Sequence, residues 1–290
     1  MPALLVFTVY LGLAMVLTAL VFYPVYVVLD TIWEVRPDRV FYRLAMIFAV
    51  LGFWPLLKLL GIDNRNALGY SLDRRRFLRA FSRGLGIGVL IMIVHSFLLV
   101  ASDARALPDE RILIGDLLYA LVSGLLTGLL VAIIEESLFR GALQYEMRRS
   151  HTLSTTIVLT SLFYAALHFV RAPEPAAGMA ISWFSGWEML AGIFDQFYDF
   201  SDFADSFVAL FAAGLLLSLI REKNGNIALC IGVHTGWVMM IKSAKVATTT
   251  VLDSPAAWLI GSYDDIIGWA AAGILGLSSL VYWLLGRSQY

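Results

Sequence analysis

Long apolar runs recur along the sequence, and they restrict the fold more than any other feature. The runs that we identify cover residues 4–29, 40–60, 84–101, 116–138, 152–170, 206–220, 226–244 and 265–285. About 20 residues of helix cross the roughly 30 Å hydrocarbon core of a bilayer. A transmembrane strand would instead alternate apolar and polar positions over about ten residues. The sequence therefore predicts an all-α, polytopic transmembrane helix bundle of about eight spans.

Composition and charge exclude several other classes of protein. The chain of 290 residues is 60% hydrophobic and only 15% charged, which is too apolar for a soluble globular domain. The net charge of -1 provides no basic surface for nucleic acid, so we expect membrane lipids as partners and no nucleic acid. Cys230 is the single cysteine, which excludes an intrachain disulfide and a cysteine-rich metal site.

The loops between spans predict the orientation in the membrane. The loop before the third span is rich in arginine, with Arg65, Arg74, Arg75, Arg76, Arg79 and Arg83. The positive-inside rule places this loop in the cytoplasm, and alternation then places both termini there. The aromatic-rich connection 171–205 falls outside, either as an interfacial helix or as an ordered cap. We predict an integral, multi-pass protein of the cell (inner) membrane.

A cluster of charge interrupts the fourth apolar run, at Glu135-Glu136-Ser137-Leu138-Phe139-Arg140. An ionisable residue in the middle of a span costs about 2.5–3.5 kcal/mol on insertion, so it is a functional candidate. Glu136 and Arg140 are four residues apart on a helix and can pair, whereas Glu135 is turned about 100° away. Taken alone, the cluster fits a structural ion pair as well as a functional site.

Two later spans add histidines, His168 and His234. Counted from the cytoplasmic ends of their helices, Glu135, His168 and His234 lie about 20, 25 and 12 Å deep, so one pocket holds all three if a helix tilts. A carboxylate and two imidazoles in a dry pocket can activate water and stabilise the oxyanion formed on a carbonyl. This set therefore indicates peptide hydrolysis.

The same residues resemble the CPBP intramembrane proteases, also called the CAAX protease and bacteriocin-processing or Abi family, which includes the type II CAAX prenyl endopeptidases. Three motifs of that family are matched in order and spacing over about 116–242, by Glu135-Glu136-x-x-x-Arg140, by Tyr164-x-x-x-His168 and by His234. The sequence shows no internal repeat or low-complexity linker, which predicts one membrane domain, 1–290. Within it, the resemblance places a catalytic core in 116–245, between N-terminal spans in 1–115 and a C-terminal span in 246–290.

The resemblance also implies an activity and a set of catalytic residues. The expected enzyme is an intramembrane endopeptidase that hydrolyses membrane-associated, prenylated or leader peptide substrates. Glu135 and His168 would activate water, and His234 would help to bind the oxyanion. Glu136 and Arg140 would hold the base in place.

Two positions depart from the family pattern. Tyr164 replaces the usual Phe, and Val238 replaces the Asn or Asp expected four residues after the last motif histidine. The second change removes an oxyanion donor, so either Thr235 or a backbone group replaces it or activity is weak. The alternative hypothesis is therefore a non-catalytic membrane scaffold or a transporter that retains the protease fold.

Cofactors and glycines complete the sequence predictions. Glu135, His168 and His234 suit zinc in type and number, but the chain has no His-Glu-x-x-His helix, so we favour no cofactor over zinc. His95 is interpreted as a hydrogen-bonded packing residue or a pore-facing group. Several glycines predict close helix packing, namely Gly84, Gly86, Gly88, Gly124 and Gly128.

Overall fold

A computed structural model describes residues 3–108, 113–175, 180–197 and 199–287 of the chain. Over these residues the predicted all-α fold class is confirmed. The helices are α1 (Ala3–Trp33), α2 (Pro37–Leu59), α3 (Arg74–Ala101), α4 (Ile114–Glu136), α5 (Gln144–Arg148), α6 (Leu153–His168), α7 (Ser185–Gly192), α8 (Ala204–Asn224), α9 (Ala228–Ala247) and α10 (Trp269–Arg287). Two short strands, β1 (Arg105–Ala106) and β2 (Thr249–Thr250), pair antiparallel.

Five of the described helical segments are long and apolar enough to cross a membrane. They are α1, α2, α3, α8 and the continuous helical segment Ile114–Arg148 that begins with α4. The apolar helices α6 and α10 are shorter over their described residues. Each of the eight predicted spans coincides with a helix, but the number that crosses the membrane stays a prediction.

The chain divides into two compact units, which are described separately. The first unit contains Met1–Asp63 and Ala166–Phe200, and the second contains Asn64–Ala165 and Ser201–Tyr290. Their limits differ from the predicted internal boundaries near residues 115 and 245. The interpretation of the whole chain as one membrane domain stays a prediction.

The first unit is built on α1, against which α2 and α7 pack. Its buried core contains Phe22 of α1, Phe41 of α2 and Met189 of α7. Gly186 lies so close to the backbone of Ala19 that a side chain there would overlap it. Within the predicted external connection, α7 is thus an ordered part of the unit, and residues 176–179 and 198 of that connection lie outside the described residues.

In the second unit, α9 lies between α3 and α4. Gly84 of α3 lies against the backbone of Leu229 in α9. On the other side, a Cβ atom at Gly124 of α4 would lie 2.9 Å from the Cα of Met239. The prediction that glycines bring helices close is confirmed for Gly84, Gly88, Gly124 and Gly128. It is wrong for Gly86, around which there is open space.

The opposite face of α4 is apolar and exposed. It carries a side chain every four residues, at Leu118, Val122, Leu126 and Leu130, each more than half exposed. Apolar residues at this spacing form one stripe along a helix. One face of α4 therefore packs on α9 through small residues, while the other presents hydrocarbon to the surroundings, as lipid requires.

The end of α4 is not a regular α-helix. Directly after Glu136, residues Ser137–Leu143 form a π-helical segment, which continues into α5. Its wider turn is shown by the backbone N–H of Gln144, which donates to the carbonyl of Phe139 five residues earlier. Segments of this kind are rare and occur often at functional sites. The sequence pattern predicted no such change of helix type.

Candidate active site

Glu136 is the central polar residue of the second unit. It is the last residue of α4, and its side chain is fully buried. Its Oε1 atom accepts hydrogen bonds from Nδ1 of His234 at 2.9 Å and from Nη1 of Arg140 at 3.3 Å. The carboxylate only accepts, so Nδ1 is the protonated ring nitrogen in this contact. The predicted pair between Glu136 and Arg140 is confirmed.

Arg140 is held by aromatic rings and a backbone carbonyl. Its guanidinium lies 4.4 Å from the ring centre of Tyr164 and 5.8 Å from that of Phe139. Its Nη2 atom donates to the carbonyl oxygen of Gly214 in α8 at 3.3 Å. A planar guanidinium suits both contacts, since it stacks on rings and donates in several directions. Tyr164 thus supplies the nearer of the two aromatic faces.

Glu135 is the more accessible of the two glutamates. Its side chain is 24% exposed, whereas that of His234 is 6% exposed. Its Oε2 atom lies 3.9 Å from Nε2 of His234, which is too long for a direct hydrogen bond. Glu135 was expected to face away from the pair formed by Glu136 and Arg140. The structure refines this expectation, because the carboxylates of Glu135 and Glu136 lie near opposite nitrogens of the His234 imidazole.

The other predicted catalytic histidine, His168, is the last residue of α6 and is half-buried. It belongs to the first unit, whereas Glu135, Glu136, Arg140 and His234 belong to the second. The structure thus brings four of the five predicted residues together. The pairing of His168 with Glu135 stays a prediction.

Two departures from sequence expectation concern the oxyanion. Val238 lies against α4, because a Cβ atom at Gly128 would come within 3.1 Å of the Cβ of Val238. Thr235 was one expected replacement for the missing polar side chain, but its hydroxyl donates to the carbonyl of Ile231 at 2.7 Å. The Thr235 donor is therefore already used within α9.

Sequence reasoning missed a donor beside His234. The ring of Trp237 lies 6.4 Å from the His234 ring, centre to centre, and is buried. Within the described residues, its indole Nε1 has no hydrogen-bond partner. A buried indole N–H normally has an acceptor. The sequence feature that could have identified Trp237 is its position, three residues after His234 on the same helix.

Sequence reasoning also missed Gln144, which extends the polar contacts of the site four residues beyond Arg140. It is buried, and its Nε2 atom donates to the carbonyl of Ser218 at 3.1 Å and to Oε1 of Glu222 at 3.0 Å. The sequence feature that could have identified Gln144 is its polar side chain, four positions after Arg140. Gln144 ties the helix that carries the site to α8.

Two further predictions concern His95 and the side chains that could bind a metal ion. His95 is buried in α3, and neither ring nitrogen has a hydrogen-bond partner among the described residues. The expectation that it is hydrogen-bonded is therefore wrong over this part of the chain. The same residues contain no group of three or more His, Cys, Asp or Glu side chains placed to hold a metal ion.

A comparison with protein families finds one relevant similarity. Residues 117–240 match the family described as Type II CAAX prenyl endopeptidase Rce1-like. The matched segment begins in α4, ends in α9 and includes all five predicted catalytic residues, which confirms the resemblance seen in the sequence. The similarity is therefore to endopeptidases of the CAAX type. Searches of curated proteins and of solved structures gave no significant match.

Proposed function

We propose, from the Rce1-like similarity of residues 117–240, that this protein is an intramembrane endopeptidase whose general base is Glu135. Its substrates would be membrane-associated prenylated or leader peptides. One observation carries the proposal. Glu136 and Glu135 lie at the two nitrogens of His234, at 2.9 and 3.9 Å, so that one carboxylate orients the imidazole while the other stays accessible.

The two glutamates have different roles in this mechanism. Glu136 is paired with Arg140 and fixes the His234 ring, as a hydrogen bond to one imidazole nitrogen commonly does. Glu135 removes a proton from water, and the sequence pattern predicts His168 as the second group on that water. The hydroxide attacks the scissile carbonyl carbon, and the carbonyl oxygen becomes an oxyanion. Glu135 then returns the proton to the leaving nitrogen as the carbon–nitrogen bond breaks.

The oxyanion needs donors, and two are placed on α9. Nε2 of His234 lies on the Glu135 side of the ring, and it donates when the imidazole is a cation, because Nδ1 already carries the proton that is donated to Glu136. The indole N–H of Trp237, which has no acceptor among the described residues, is the second. Preorganised donors of this kind stabilise developing charge strongly in a site that excludes water. We propose that Trp237 compensates for Val238.

We propose that water is activated without a metal. Oε1 of Glu136 is already shared by Arg140 and His234. A zinc site would have to use Glu135, His168 and Nε2 of His234, which removes the base and an oxyanion donor from the reaction. The glutamate mechanism uses each group once.

Replacement of Glu135 tests the proposal. With purified protein in lipid and a prenylated peptide as substrate, we expect Glu135→Gln to lower kcat about 10²- to 10⁴-fold, because a general base contributes that much. Glu146→Gln is the matched control, since Glu146 lies in α5 and pairs with Arg149 at the surface. It should keep wild-type activity.

Three results would contradict the proposal. Full activity of Glu135→Gln would exclude Glu135 as the base. Loss of wild-type activity with a chelator, and its return with zinc, would exclude the metal-free mechanism. If the wild type cleaves neither prenylated nor leader peptides, the non-catalytic scaffold or transporter becomes the better hypothesis.

A further inference from the structure

A cavity in the first compact unit is surrounded by arginines. Its volume is about 310 Å³, and it is lined by Asp38, Arg39, Tyr42, Arg43, Arg171 and Ala172. All six residues belong to the first unit. A cavity of this volume is at the lower end of the range for small-molecule sites. Its lining carries three positive charges and one negative charge, so it favours an anion as its ligand.

The one negative charge at this cavity is already paired. Both carboxylate oxygens of Asp38 accept hydrogen bonds from Arg36, at 3.1 and 2.9 Å. Arg39 and Arg43 are exposed and lie four residues apart, on the same face of α2. Among the described residues, the guanidinium groups of Arg39 and Arg43 make no hydrogen bond or ion pair. Both groups therefore have donors for a ligand.

The third arginine, Arg171, is brought to the cavity by the segment that follows α6. Its neighbours Val170 and Ala172 both pack against the apolar core of the first unit. Three residues later, Glu174 accepts a hydrogen bond from Nη2 of Arg36 at 2.8 Å. These contacts hold the segment beside the first turn of α2, so Arg171 has a defined place at the cavity.

A second cavity, of about 470 Å³, shares Arg43 with the first and is otherwise apolar. It lies between α1 and α2, and the side chains that line it include Leu29, Trp33, Val40, Leu44 and Ile47. The last three follow one face of α2 over about 10 Å. An arginine suits the boundary of two such cavities, because its methylene groups lie along apolar surface while its guanidinium stays in polar surroundings.

We propose that the two cavities bind one anionic phospholipid, with its phosphate among Arg39, Arg43 and Arg171 and an acyl chain along the apolar cavity. Guanidinium groups bind phosphate oxygens through paired, charge-assisted hydrogen bonds. A soluble anion would occupy only the first cavity, and a neutral lipid would leave the arginines without an anion. An anionic lipid occupies both cavities. The site uses none of the residues assigned to hydrolysis, so it does not depend on the proposed function.

The predicted orientation supports a lipid at this position. By alternation it places the start of α2 and residue 171 on the external side, where the positive-inside rule disfavours arginine. An anionic headgroup at that interface gives these arginines a purpose. Trp33, at the end of α1, is 67% exposed and lines the apolar cavity. Tryptophan is the residue type that is enriched at the level of the headgroups.

Lipid titration of the purified full chain in a neutral detergent, followed by native mass spectrometry, tests the arginines. The probes are phosphatidylglycerol and phosphatidylcholine with identical acyl chains. We expect the wild type to bind one phosphatidylglycerol in preference to phosphatidylcholine. Arg39→Gln/Arg43→Gln should lower the affinity for phosphatidylglycerol about tenfold or more, since two charged donors are lost. Arg74→Gln/Arg75→Gln, which removes equal charge from exposed positions at the start of α3, should bind as the wild type does.

A second pair of variants tests the apolar cavity with all arginines in place. Ile47→Trp puts a large ring into the cavity and should weaken phosphatidylglycerol binding severalfold. Leu51→Trp lies one turn later on α2, at an exposed position that does not line the cavity, and should bind as the wild type does. Both positions are more than half exposed, so neither change should prevent folding.

Four results would overturn the inference. Equal binding of the two lipids by the wild type would exclude a site for an anionic headgroup. An equal loss in Arg39→Gln/Arg43→Gln and Arg74→Gln/Arg75→Gln would show a general effect of surface charge. Unchanged affinity in Ile47→Trp would exclude the apolar cavity as the place of the acyl chain. Displacement of the lipid by inorganic phosphate would identify a soluble anion as the ligand.

Discussion

Single residues show why this site needs two adjacent glutamates. Glu136 is fully buried, and a buried carboxylate without a partner would cost several kcal/mol. Arg140 and His234 offset that cost, and both bind the same carboxylate oxygen, Oε1. Glu135, one position earlier, keeps an exposed fraction of 24%, and its Oε2 atom lies 3.9 Å from Nε2 of His234. In the proposed mechanism, the charge that stabilises the site and the charge that reacts are on different residues.

Part of this arrangement was predictable from sequence. The pair between Glu136 and Arg140 follows from helical spacing alone. The contact between Glu136 and His234 joins positions 98 residues apart. Helix depth placed His234 in one pocket with Glu135, and the resemblance to a family added Glu136 to that site. Trp237 was passed over because a tryptophan in an apolar run looks ordinary. The missing acceptor of its indole N–H among the described residues became visible only in three dimensions.

The proposed role of Trp237 gives a prediction at this scale. Trp237→Phe keeps a large ring but removes the N–H donor, so kcat should fall about 10²- to 10³-fold with little change in KM. Val238→Asn, added to that variant, should restore part of the activity, because Asn has nearly the size of Val and supplies a donor. Steady-state kinetics on one prenylated peptide measures both effects.

Two kinetic results would contradict this assignment. An unchanged kcat for Trp237→Phe would mean that the oxyanion has other donors. A fall in kcat that Val238→Asn does not relieve at all would indicate that the indole has a packing role only.

At the scale of helices, α9 is the element on which the site depends. It carries His234 and Trp237 and lies between α3 and α4 at distances that only small residues permit. Helices in lipid gain little from the hydrophobic effect between them, so close packing through glycine is a main source of stability. The sequence predicted this packing from glycine spacing, but spacing alone did not distinguish Gly84 and Gly88 from Gly86, which faces open space.

Gly232 and Gly86 provide a matched pair of variants. Gly232→Ala places a Cβ atom onto the backbone carbonyl of Phe81, whereas Gly86→Ala meets nothing within 4 Å. We expect Gly232→Ala to destabilise the protein by about 1–3 kcal/mol, the usual cost of overpacking. Gly86→Ala should be neutral or slightly stabilising. Thermal unfolding in one detergent compares them, and equal melting temperatures would contradict the close α3–α9 contact.

At the scale of the whole molecule, the predicted orientation decides from which side of the membrane each loop is reached. The sequence predicted the fold class and the position of every long apolar helix, since continuous apolar runs have few other solutions in lipid. It did not predict the limits of the two compact units. Its count of about eight spans stays a prediction, since five described helical segments are long and apolar enough to cross and α6 and α10 are shorter over their described residues.

Cysteine labelling in intact cells tests the orientation. Cys230 is fully buried and should give little background. Ser71 and Ser201 are both exposed, in a predicted cytoplasmic loop and a predicted external segment respectively. A membrane-impermeant thiol reagent should label Ser201→Cys in intact cells, but Ser71→Cys only after lysis. The reverse pattern would invert the topology, and labelling of both would contradict it.

The π-helical segment Ser137–Leu143 has a consequence for how this chain can vary. Its irregular turn interrupts the regular series of backbone hydrogen bonds of an α-helix. The carbonyl of Arg140 accepts a hydrogen bond from Nε of Arg221 at 3.1 Å. Removal of one residue from this segment would restore the regular backbone hydrogen bonds and would rotate the helix that follows by about 100°. Gln144 would then turn away from α8. Homologous sequences should therefore tolerate substitution in this segment far more readily than a change in its length.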